Sequence, residues 1–315
     1  MNILITGGCG YTGTLLTELL LDIHNVTVVD TQWFGNFLKP RKNLNIIKTD
    51  IRNIDTSIFE GIDTIVHLAS IANDPGVDLN QILSWEVNVL ATQKVLKAAV
   101  KKNVKHFIYA SSGSVYGIKD EKQVTEELDL VPISTYNKTK MIAERVILCF
   151  KDKIKLHIIR PATVCGYSPR MRLDVTVNMF VFQALHNKLM TVFGGKQVRP
   201  NIHILDIINV YKFFIENSEI DEGVYNAGFE NLSLINIAKK IKNRISGVDI
   251  KITESNDERS YRLNSNKLIS VGFEKKYNVD YAIEEMINRY HKGDITEKES
   301  SFTVKWMKSL KLDKL

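Results

Sequence analysis

A glycine-rich loop between two apolar runs constrains the fold of this 315-residue chain more than any other feature. Residues 1–5 are largely apolar, residues 6–13 read T-G-G-C-G-Y-T-G, and a leucine-rich stretch comes next. Gly7, Gly10 and Gly13 thus form a G-x-x-G-x-x-G pattern between a predicted strand and a predicted helix. Glycine permits a positive φ and lets the backbone approach a pyrophosphate at a helix N-terminus. This order therefore predicts a dinucleotide-binding turn, with Tyr11 and Thr12 also at the ligand.

Short β-branched runs alternate with amphipathic segments through the first half of the chain. Strands are predicted over residues 25–30, 44–50, 64–69, 105–111 and 155–160, with a helix over 85–100. This alternation predicts an α/β fold, a Rossmann-type doubly wound parallel sheet with a smaller C-terminal substrate-binding lobe. The predicted boundaries are residues 1–167 for the dinucleotide-binding domain, with 202–227 returning to it, 168–201 and 228–290 for the lobe, and 291–315 for a C-terminal tail.

Composition narrows the class of protein. Hydrophobic residues make up 44% of the chain and charged residues 25%, as in ordinary globular proteins. No membrane span and no signal peptide are expected, and three cysteines without metal-ligand spacing predict reduced thiols, a cytoplasmic location and no metal. The net charge of +6 is modest, so no nucleic-acid partner is expected. Lysines 305, 308, 311 and 314 are expected on a solvated helix face or a frayed tail.

An acidic residue at the end of the second predicted strand completes the candidate cofactor site. Asp30 is placed to accept hydrogen bonds from ribose hydroxyls and would repel a 2′-phosphate, which favours NAD over NADP. Asp50 and Ile51 are candidates for the adenine, although Asp50 could equally be a helix N-cap. Further candidates are the small-residue run Leu68, Ala69 and Ser70, and the polar Asn88 within an apolar helix.

The candidate chemical site lies further along the chain. Tyr136 and Lys140 are four residues apart, so a helix would place both on one face. The lysine cation and the positive nicotinamide of oxidised NAD are expected to lower the tyrosine pKa from about 10. Tyr136 could then take a proton from a hydroxyl while hydride leaves the same carbon, with Ser112 holding the substrate oxygen.

These residues together resemble the extended short-chain dehydrogenase/reductases, specifically the NAD-dependent epimerase/dehydratase group that acts on nucleotide sugars. The resemblance covers residues 1–290 and rests on residues 6–13, Asp30, Asp50, Ser111, Ser112, 115–117, 136–140, Arg160, Pro161 and 199–203. It implies a seven-stranded Rossmann domain and a Tyr136, Lys140 and Ser112 proton-transfer set. It also implies that Ser111, Tyr136, Lys140, Pro161 and Val164 contact NAD.

Arginines mark the candidate substrate end. Arg170 lies in the block S-P-R-M-R-L-D at 168–174, and Arg199 precedes a predicted strand. Arginine offers a planar fork that suits phosphate oxygens. The resemblance implies that Arg199 contacts the diphosphate, that Asn178 makes a backbone-and-amide contact with the substrate and that Arg259 contacts the nucleotide. It also implies that Ser112 and Ser114 contact the substrate. A UDP- or GDP-linked sugar is the expected partner, and the sequence leaves that choice open.

The two residues directly after Ser112 narrow the reaction. The 4,6-dehydratases of the resembling family carry Asp-Glu there, whereas this chain has Gly113 and Ser114. A nucleotide-sugar epimerase that transiently oxidises C4 is therefore expected. The alternatives are a C4 dehydrogenase or reductase, a 4,6-dehydratase and a non-catalytic NAD-binding regulator. For the C4 dehydrogenase or reductase, the block at 168–174 resembles that of bacterial sugar-modifying enzymes, some of which oxidise C4 of a GDP-linked sugar, and this resemblance implies a GDP-sugar. The resemblance also implies a homodimer formed through the helices near 85–100 and 136–150.

Overall fold

The computed structural model describes residues 1–255 and 260–312, and within them twelve strands form three sheets. Seven parallel strands make the central sheet in the order β10-β6-β5-β4-β1-β2-β3. The strands are β1 Asn2–Thr6, β2 Asn25–Asp30, β3 Leu44–Lys48, β4 Thr64–His67, β5 His106–Ala110, β6 Lys155–Pro161, β7 Thr163–Cys165, β8 Leu189–Phe193, β9 Val198–His203, β10 Gly223–Ala227, β11 Glu230–Ser233 and β12 Asp249–Thr253. The predicted doubly wound parallel sheet is confirmed.

Helices connect these strands and cover both faces of the central sheet. They are α1 Tyr11–Leu20, α2 Asp74–Leu79, α3 Gln81–Trp85, α4 Thr92–Lys101, α5 Thr135–Leu148, α6 Thr176–Asn187, α7 Ile204–Glu216, α8 Leu234–Lys242, α9 Asn266–Ser270, α10 Val279–His291 and α11 Thr303–Ser309. The helix predicted over 85–100 begins with a π-helical stretch, Glu86–Ala91, before α4. Short 3₁₀ turns occupy Ile51–Asn53, Thr56–Phe59, Gly113–Tyr116 and Glu299–Ser301.

Alternation along the buried strands builds two hydrophobic cores, one on each face of the sheet. On β1, Ile3 and Ile5 pack with α1 and α7, whereas Leu4 packs with α4 and α5 on the opposite face. The strand order reverses between β1 and β4, because the chain runs outward from β1 to β3 and then returns to the other side. Ligands of open α/β sheets bind in the crevice at such a switch point, and the glycine loop comes directly after β1.

The remaining segments form the lobe, with one departure from the predicted boundaries. The strand expected at 202–204 was predicted to rejoin the central sheet, but β9 lies between β7 and β11 in a separate three-stranded sheet. Strand propensity does not say which sheet a strand joins. The chain returns to the dinucleotide-binding domain at α7, which packs against α1. Of the strands in the predicted returning segment, only β10 joins the central sheet. A third core joins α6, α8 and α10 beneath the two-stranded sheet of β8 and β12.

The predicted tail forms defined structure. Helix α11 packs on α2, where Met307 is buried, and Lys305 and Lys308 lie on the exposed side of the helix. Lys305 and Lys308 therefore belong to a docked helix with one exposed face, whereas Lys311 follows the helix and precedes the buried Leu312, so the described part of this segment is not a frayed tail. Among the residues that the structure describes, no helix has the length and apolarity that crossing a bilayer requires.

Candidate active site

A cavity of about 1000 Å³ opens at the carboxyl ends of the central strands and extends into the lobe. One end is lined by the glycine loop and by residues just beyond β2 and β3, and the other by Ser112, Tyr136 and Arg199. Most predicted site residues therefore share one cavity, although they come from distant parts of the sequence.

The glycine loop has no room for side chains where the backbone turns. Gly7 has a φ of +78°, and a Cβ there would lie 2.7 Å from the backbone nitrogen of Ala69. A Cβ on Gly13 would lie 2.2 Å from the carbonyl oxygen of Gly7. Gly13 is therefore needed for the close packing of the turn, and it is not among the described lining residues of the cavity. Gly10 is the N-cap residue of α1, and because glycine has no side chain it cannot accept hydrogen bonds from the amides of the first helical turn. The amides of the first turn of α1 are thus available to an anion.

The adenosine end is organised around Asp30. Its carboxylate accepts hydrogen bonds from the backbone amides of Cys9 at 3.0 Å and Gln32 at 2.6 Å. Burial raises the pKa of Asp30, and those two bonds oppose the rise. Asp50 and Ile51 line the same end of the cavity, and Asp50 also accepts from the amide of Arg52 as the cap of a 3₁₀ turn. Asp50 is therefore both a cavity residue and a helix cap.

Arg170 lies at this cofactor end, not at the predicted substrate end. Its guanidinium is 4.0 Å from the centroid of the Phe34 ring, and its charge lowers the pKa of Asp30. Burial, together with repulsion from Arg172, lowers the pKa of Arg170 to about 9. Within the described residues its buried Nε has no hydrogen-bond partner, which marks a donor available to a ligand of the cavity.

Residues after β4 divide between the cavity and its support. Ala69 and Ser70 line the cavity, whereas Leu68 packs into the core and is not among the described lining residues. Asn88 is buried, and its side chain exchanges hydrogen bonds with the backbone of Ile71 at 2.8 and 3.1 Å. Asn88 therefore holds the segment that touches the cofactor end and does not line the cavity itself.

Helix α5 and the turn after β5 build the chemical end. Ser112 Oγ lies 2.7 Å from Ser114 Oγ, and Ser114 donates to Asn137 at 2.6 Å. The Lys140 Nζ atom is 6.0 Å from the Tyr136 ring centroid and donates to the carbonyl of Ala110 at 2.8 Å. The structure therefore brings Ser112, Tyr136 and Lys140 close together. Ser112 and Tyr136 line the cavity, whereas Lys140 contacts the Tyr136 ring and is not among the described lining residues. The predicted residues that line the cavity at this end are Ser111, Ser112, Ser114, Tyr136, Pro161 and Val164.

In the protein without NAD, the pKa of Tyr136 lies above its ordinary value, and the predicted lowering by Lys140 together with the nicotinamide stays a prediction. Burial, together with the nearby charge of Asp74, raises the pKa of Tyr136 to about 12, although a hydrogen bond with Ser112 and the charge of Arg172 oppose the rise. Burial also lowers the pKa of Lys140 to about 7. Four-residue spacing predicts proximity, but it cannot predict how much desolvation weakens both charged forms.

A buried network supports this chemical end. Glu144, one helical turn beyond Lys140, accepts two hydrogen bonds from Arg160, at 3.0 and 2.7 Å, and a short one from Ser111. Arg160 also donates to the Tyr116 hydroxyl at 2.6 Å. The side chains of Arg160 and Glu144 are only 5% and 1% exposed. This network fixes the residues beside Ser112 and Pro161.

The lobe supplies the remaining predicted residues, with differing outcomes. Arg199 lines the cavity, and its contact with the diphosphate stays a prediction. Asn178 is fully buried outside the described cavity lining, where its amide donates to Tyr11, Gly166 and Arg172. It orders the loop at 166–172, and its side chain is not brought to the substrate space. Arg259 lies outside the described residues.

Two features of the site were missed by the sequence analysis. Arg172, not Arg170, faces the chemical end, and it pairs with Asp174 at 2.9 Å. The sequence signal that could have identified Arg172 was its place in the cationic block at 168–174. Six residues of the predicted tail also line the cavity, and no local motif marks them. They are Phe302, Thr303, Val304, Lys305, Met307 and Lys308.

The site fits a dinucleotide. The tight glycine turn, the available amides of α1, the carboxylate of Asp30 and the unpartnered Nε of Arg170 all belong to one described cavity. Ser112 and Tyr136 of the predicted proton-transfer set line its other end, with Lys140 next to Tyr136. Fold and site therefore define a dinucleotide-dependent enzyme of the short-chain dehydrogenase/reductase class.

Comparison with known proteins identifies the family. Residues 3–228 match the model of the NAD dependent epimerase/dehydratase family, and the chain belongs to that family. It is 32% identical over 267 residues to an uncharacterised UDP-glucose epimerase, YtcB, of Bacillus subtilis, covering 78% of this chain and 83% of that protein. It is 28% identical to UDP-glucuronic acid decarboxylase 1 of Xenopus tropicalis, covering 83% of this chain but only 65% of that protein.

A solved structure extends the likeness. UDP-glucuronic acid 4-epimerase of Bacillus cereus, in complex with UDP-glucuronic acid and NAD, superposes with a TM-score of 0.80 at 26% identity, covering 93% of this chain and 99% of that one. The predicted family, Rossmann-type fold and NAD cofactor are confirmed. The chain is an NAD-dependent enzyme of the extended type, and the predicted epimerase function agrees with these relatives.

Proposed function

We propose that this protein is a UDP-sugar 4-epimerase. The observation that carries the proposal is that Tyr136 and Ser112 share a cavity with the NAD-binding elements, while Gly113 and Ser114 offer no carboxylate beside Ser112. A 4,6-dehydratase of this family would carry acids at those two positions to expel water. The glycine loop, Asp30 and Arg170 would hold NAD.

In this mechanism Tyr136 moves the proton at the sugar C4 hydroxyl. Ser112, supported by Ser114, holds that oxygen by a hydrogen bond, and Tyr136 accepts its proton during oxidation and returns it after the sugar has turned over. When bound, NAD supplies hydride acceptance and return, and its positive nicotinamide favours the Tyr136 phenolate. Lys140, one turn further along α5, would favour the phenolate in the same direction only while it is protonated.

The uridine nucleotide is proposed from the relatives, and its diphosphate contact from the lobe. The B. subtilis relative is named as a UDP-glucose epimerase, and the B. cereus epimerase is solved in complex with UDP-glucuronic acid. Arg199 is the proposed diphosphate contact, in a lobe of residues 168–203 and 228–290. Arg259, outside the described residues, remains the proposed nucleotide contact on sequence grounds. A GDP-sugar is the alternative outcome of a substrate screen.

A net C4 dehydrogenase or reductase is the second candidate. It is favoured by the cationic block at 168–174, which resembles that of sugar-modifying enzymes that pass a C4 ketone onward. The two candidates differ in redox balance. An epimerase regenerates NAD in each turnover, whereas a dehydrogenase accumulates NADH.

The test is to incubate the purified protein with UDP- and GDP-sugars and to follow epimers by NMR and NADH by absorbance. Epimer formation without net NADH supports the proposal, and net NADH with a keto-sugar supports the second candidate. Tyr136→Phe should lower the rate by roughly 10²–10⁴-fold while NAD stays bound, because the general base is lost. Tyr281→Phe, at a half-exposed tyrosine of α10, is the matched control. Retained turnover in Tyr136→Phe would exclude the phenol as the base.

We further propose a homodimer built through α4 and α5, since Leu90 and Ile82 are exposed beside them. Light scattering after gel filtration tests this, and a monomeric mass would refute it. A cytoplasmic location is proposed from the three free cysteines, which cell fractionation tests.

A further inference from the structure

A C-terminal segment, outside the residues 3–228 that match the family model, lies across the cofactor cavity. We call residues 299–312 the clasp segment. It comprises a 3₁₀ turn and α11, and six of its residues belong to the described cavity lining. The part of the chain expected to be a tail is therefore a wall of the binding site.

The clasp segment is anchored on two sides of the cavity. In the lobe, the amide of Leu173 donates to the carbonyl of Ser301 at 2.9 Å, and the amide of Thr303 donates to Asp174 at 3.0 Å. On the Rossmann side, Trp306 Nε1 donates to the carbonyl of Trp33 at 2.6 Å. Trp33 lies just beyond β2 and lines the adenosine end of the cavity. The segment thus bridges both halves of the molecule across the cofactor end.

Apolar burial adds to these anchors. Met307 is 3% exposed and Leu312 5% exposed, and both join the core that contains Val77 of α2. Asn80, after α2, donates to the carbonyl of Leu312 at 3.3 Å. Detaching the clasp segment would expose these side chains, so the closed arrangement is favoured.

Charge on the cavity side suits an anionic ligand. Lys305 and Lys308 both line the cavity, and Lys305 also pairs with Glu299 at 3.2 Å. A dinucleotide carries a diphosphate, and two nearby cations would attract it. The apolar residues of the clasp segment, Phe302 and Val304, shield the same space from water.

We propose that the clasp segment holds NAD in the enzyme and slows its exchange with free NAD. The inference rests on the proposed function and deepens it, because an epimerase regenerates NAD in each turnover and works without releasing it. The hydrogen bonds to Asp174 and Trp33 must break before the wall at the adenosine end can open. Exchange is therefore limited by opening of the clasp segment.

The test measures exchange of bound NAD against isotopically labelled NAD in the full-length holoenzyme, without any sugar substrate. Trp306→Phe keeps an aromatic ring but removes the hydrogen bond to Trp33, so exchange should accelerate about fivefold, the effect of one ordinary hydrogen bond. A chain ending at residue 298 should accelerate it by more than about tenfold, since all anchors are lost. Trp85→Phe, at the end of α3 outside the clasp segment, is the matched control and should leave exchange unchanged.

Circular dichroism and a melting curve establish that each variant is folded, and Trp306→Phe carries the test if the shortened chain does not fold. Unchanged exchange in folded Trp306→Phe, or rapid exchange already in the unaltered protein, would overturn the proposal. Because the assay contains no sugar, a failure of the clasp segment to retain NAD is distinguished from a failure of the epimerase assignment, which the substrate screen reports.

Discussion

Removing the charge of Glu144 while keeping its shape tests whether the buried network supports the active site. Glu144→Gln keeps one oxygen acceptor but leaves the Arg160 cation, only 5% exposed, without a buried counter-charge. Breaking a buried ion pair by changing one partner costs about 3–5 kcal/mol. Because glutamine can still accept one of the two bonds from Arg160, we expect the lower end, about 3 kcal/mol. The melting temperature should fall by roughly 4–6 °C.

Two further variants isolate the cause. Adding Arg160→Leu to Glu144→Gln removes the uncompensated cation and should restore part of the lost stability, about 1–3 kcal/mol. Glu284→Gln makes the same chemical change in an exposed pair with Arg244 and should cost less than about 1 kcal/mol. Urea denaturation gives each free energy of unfolding. A loss below about 1 kcal/mol in Glu144→Gln, or no recovery in the double variant, would refute the reasoning.

The same variant has a kinetic signature that lost packing alone does not produce. The charge of Glu144 raises the pKa of Lys140 against the effect of burial. Without that charge the pKa of Lys140 falls below its present value of about 7, so Lys140 loses its cation at lower pH. The limb of the pH–rate profile that depends on protonated Lys140 should therefore move to lower pH. An unmoved profile would show that Glu144 acts on stability alone.

Two other predictions concern buried groups of the Rossmann domain. Asp30→Ala should weaken NAD binding by roughly 10–100-fold and narrow the preference over NADP, because the ribose loses a charged acceptor; calorimetry with both cofactors checks this, and an unchanged preference would contradict it. His106 Nε2 lies 2.7 Å from His157 Nδ1. Both side chains are buried, and burial lowers the pKa of His106 to about 3 and that of His157 to about 4. Since the unfolded chain binds these protons near pH 6.5 and the folded one does not, stability should be lost as pH falls from about 6.5 towards 4; a flat melting temperature over that range would contradict it.

Local spacing accounts for the parts of the site that the sequence predicts. The glycine turn is written in seven consecutive residues, and the Tyr136–Lys140 relation comes from one turn of helix. The place of Asp30 at the cavity comes from its position at the end of a strand. Each of these depends on backbone geometry over a short range, which residue type and order determine.

Other features depend on contacts that the local pattern does not contain. Arg170 and Arg172 are two residues apart in an irregular loop, so no periodicity tells which one faces Tyr136 and which one stacks on Phe34. The contact of Trp306 with Trp33 joins residues 273 positions apart. An amphipathic helix with lysines on one side predicts only that its other side is covered, not that the helix walls the cofactor cavity.

Burial at the chemical end makes proton transfer conditional on the cofactor. In the protein chain alone, burial drives the pKa of Tyr136 up to about 12 and that of Lys140 down to about 7, so the phenolate and the ammonium are both disfavoured. A positive nicotinamide in the same low-dielectric space would favour the phenolate most strongly, because charge interactions there are weakly screened. We therefore expect Tyr136 to act as a base only in the NAD-bound enzyme. A clasp segment that slows NAD exchange would keep the enzyme in that competent state between turnovers.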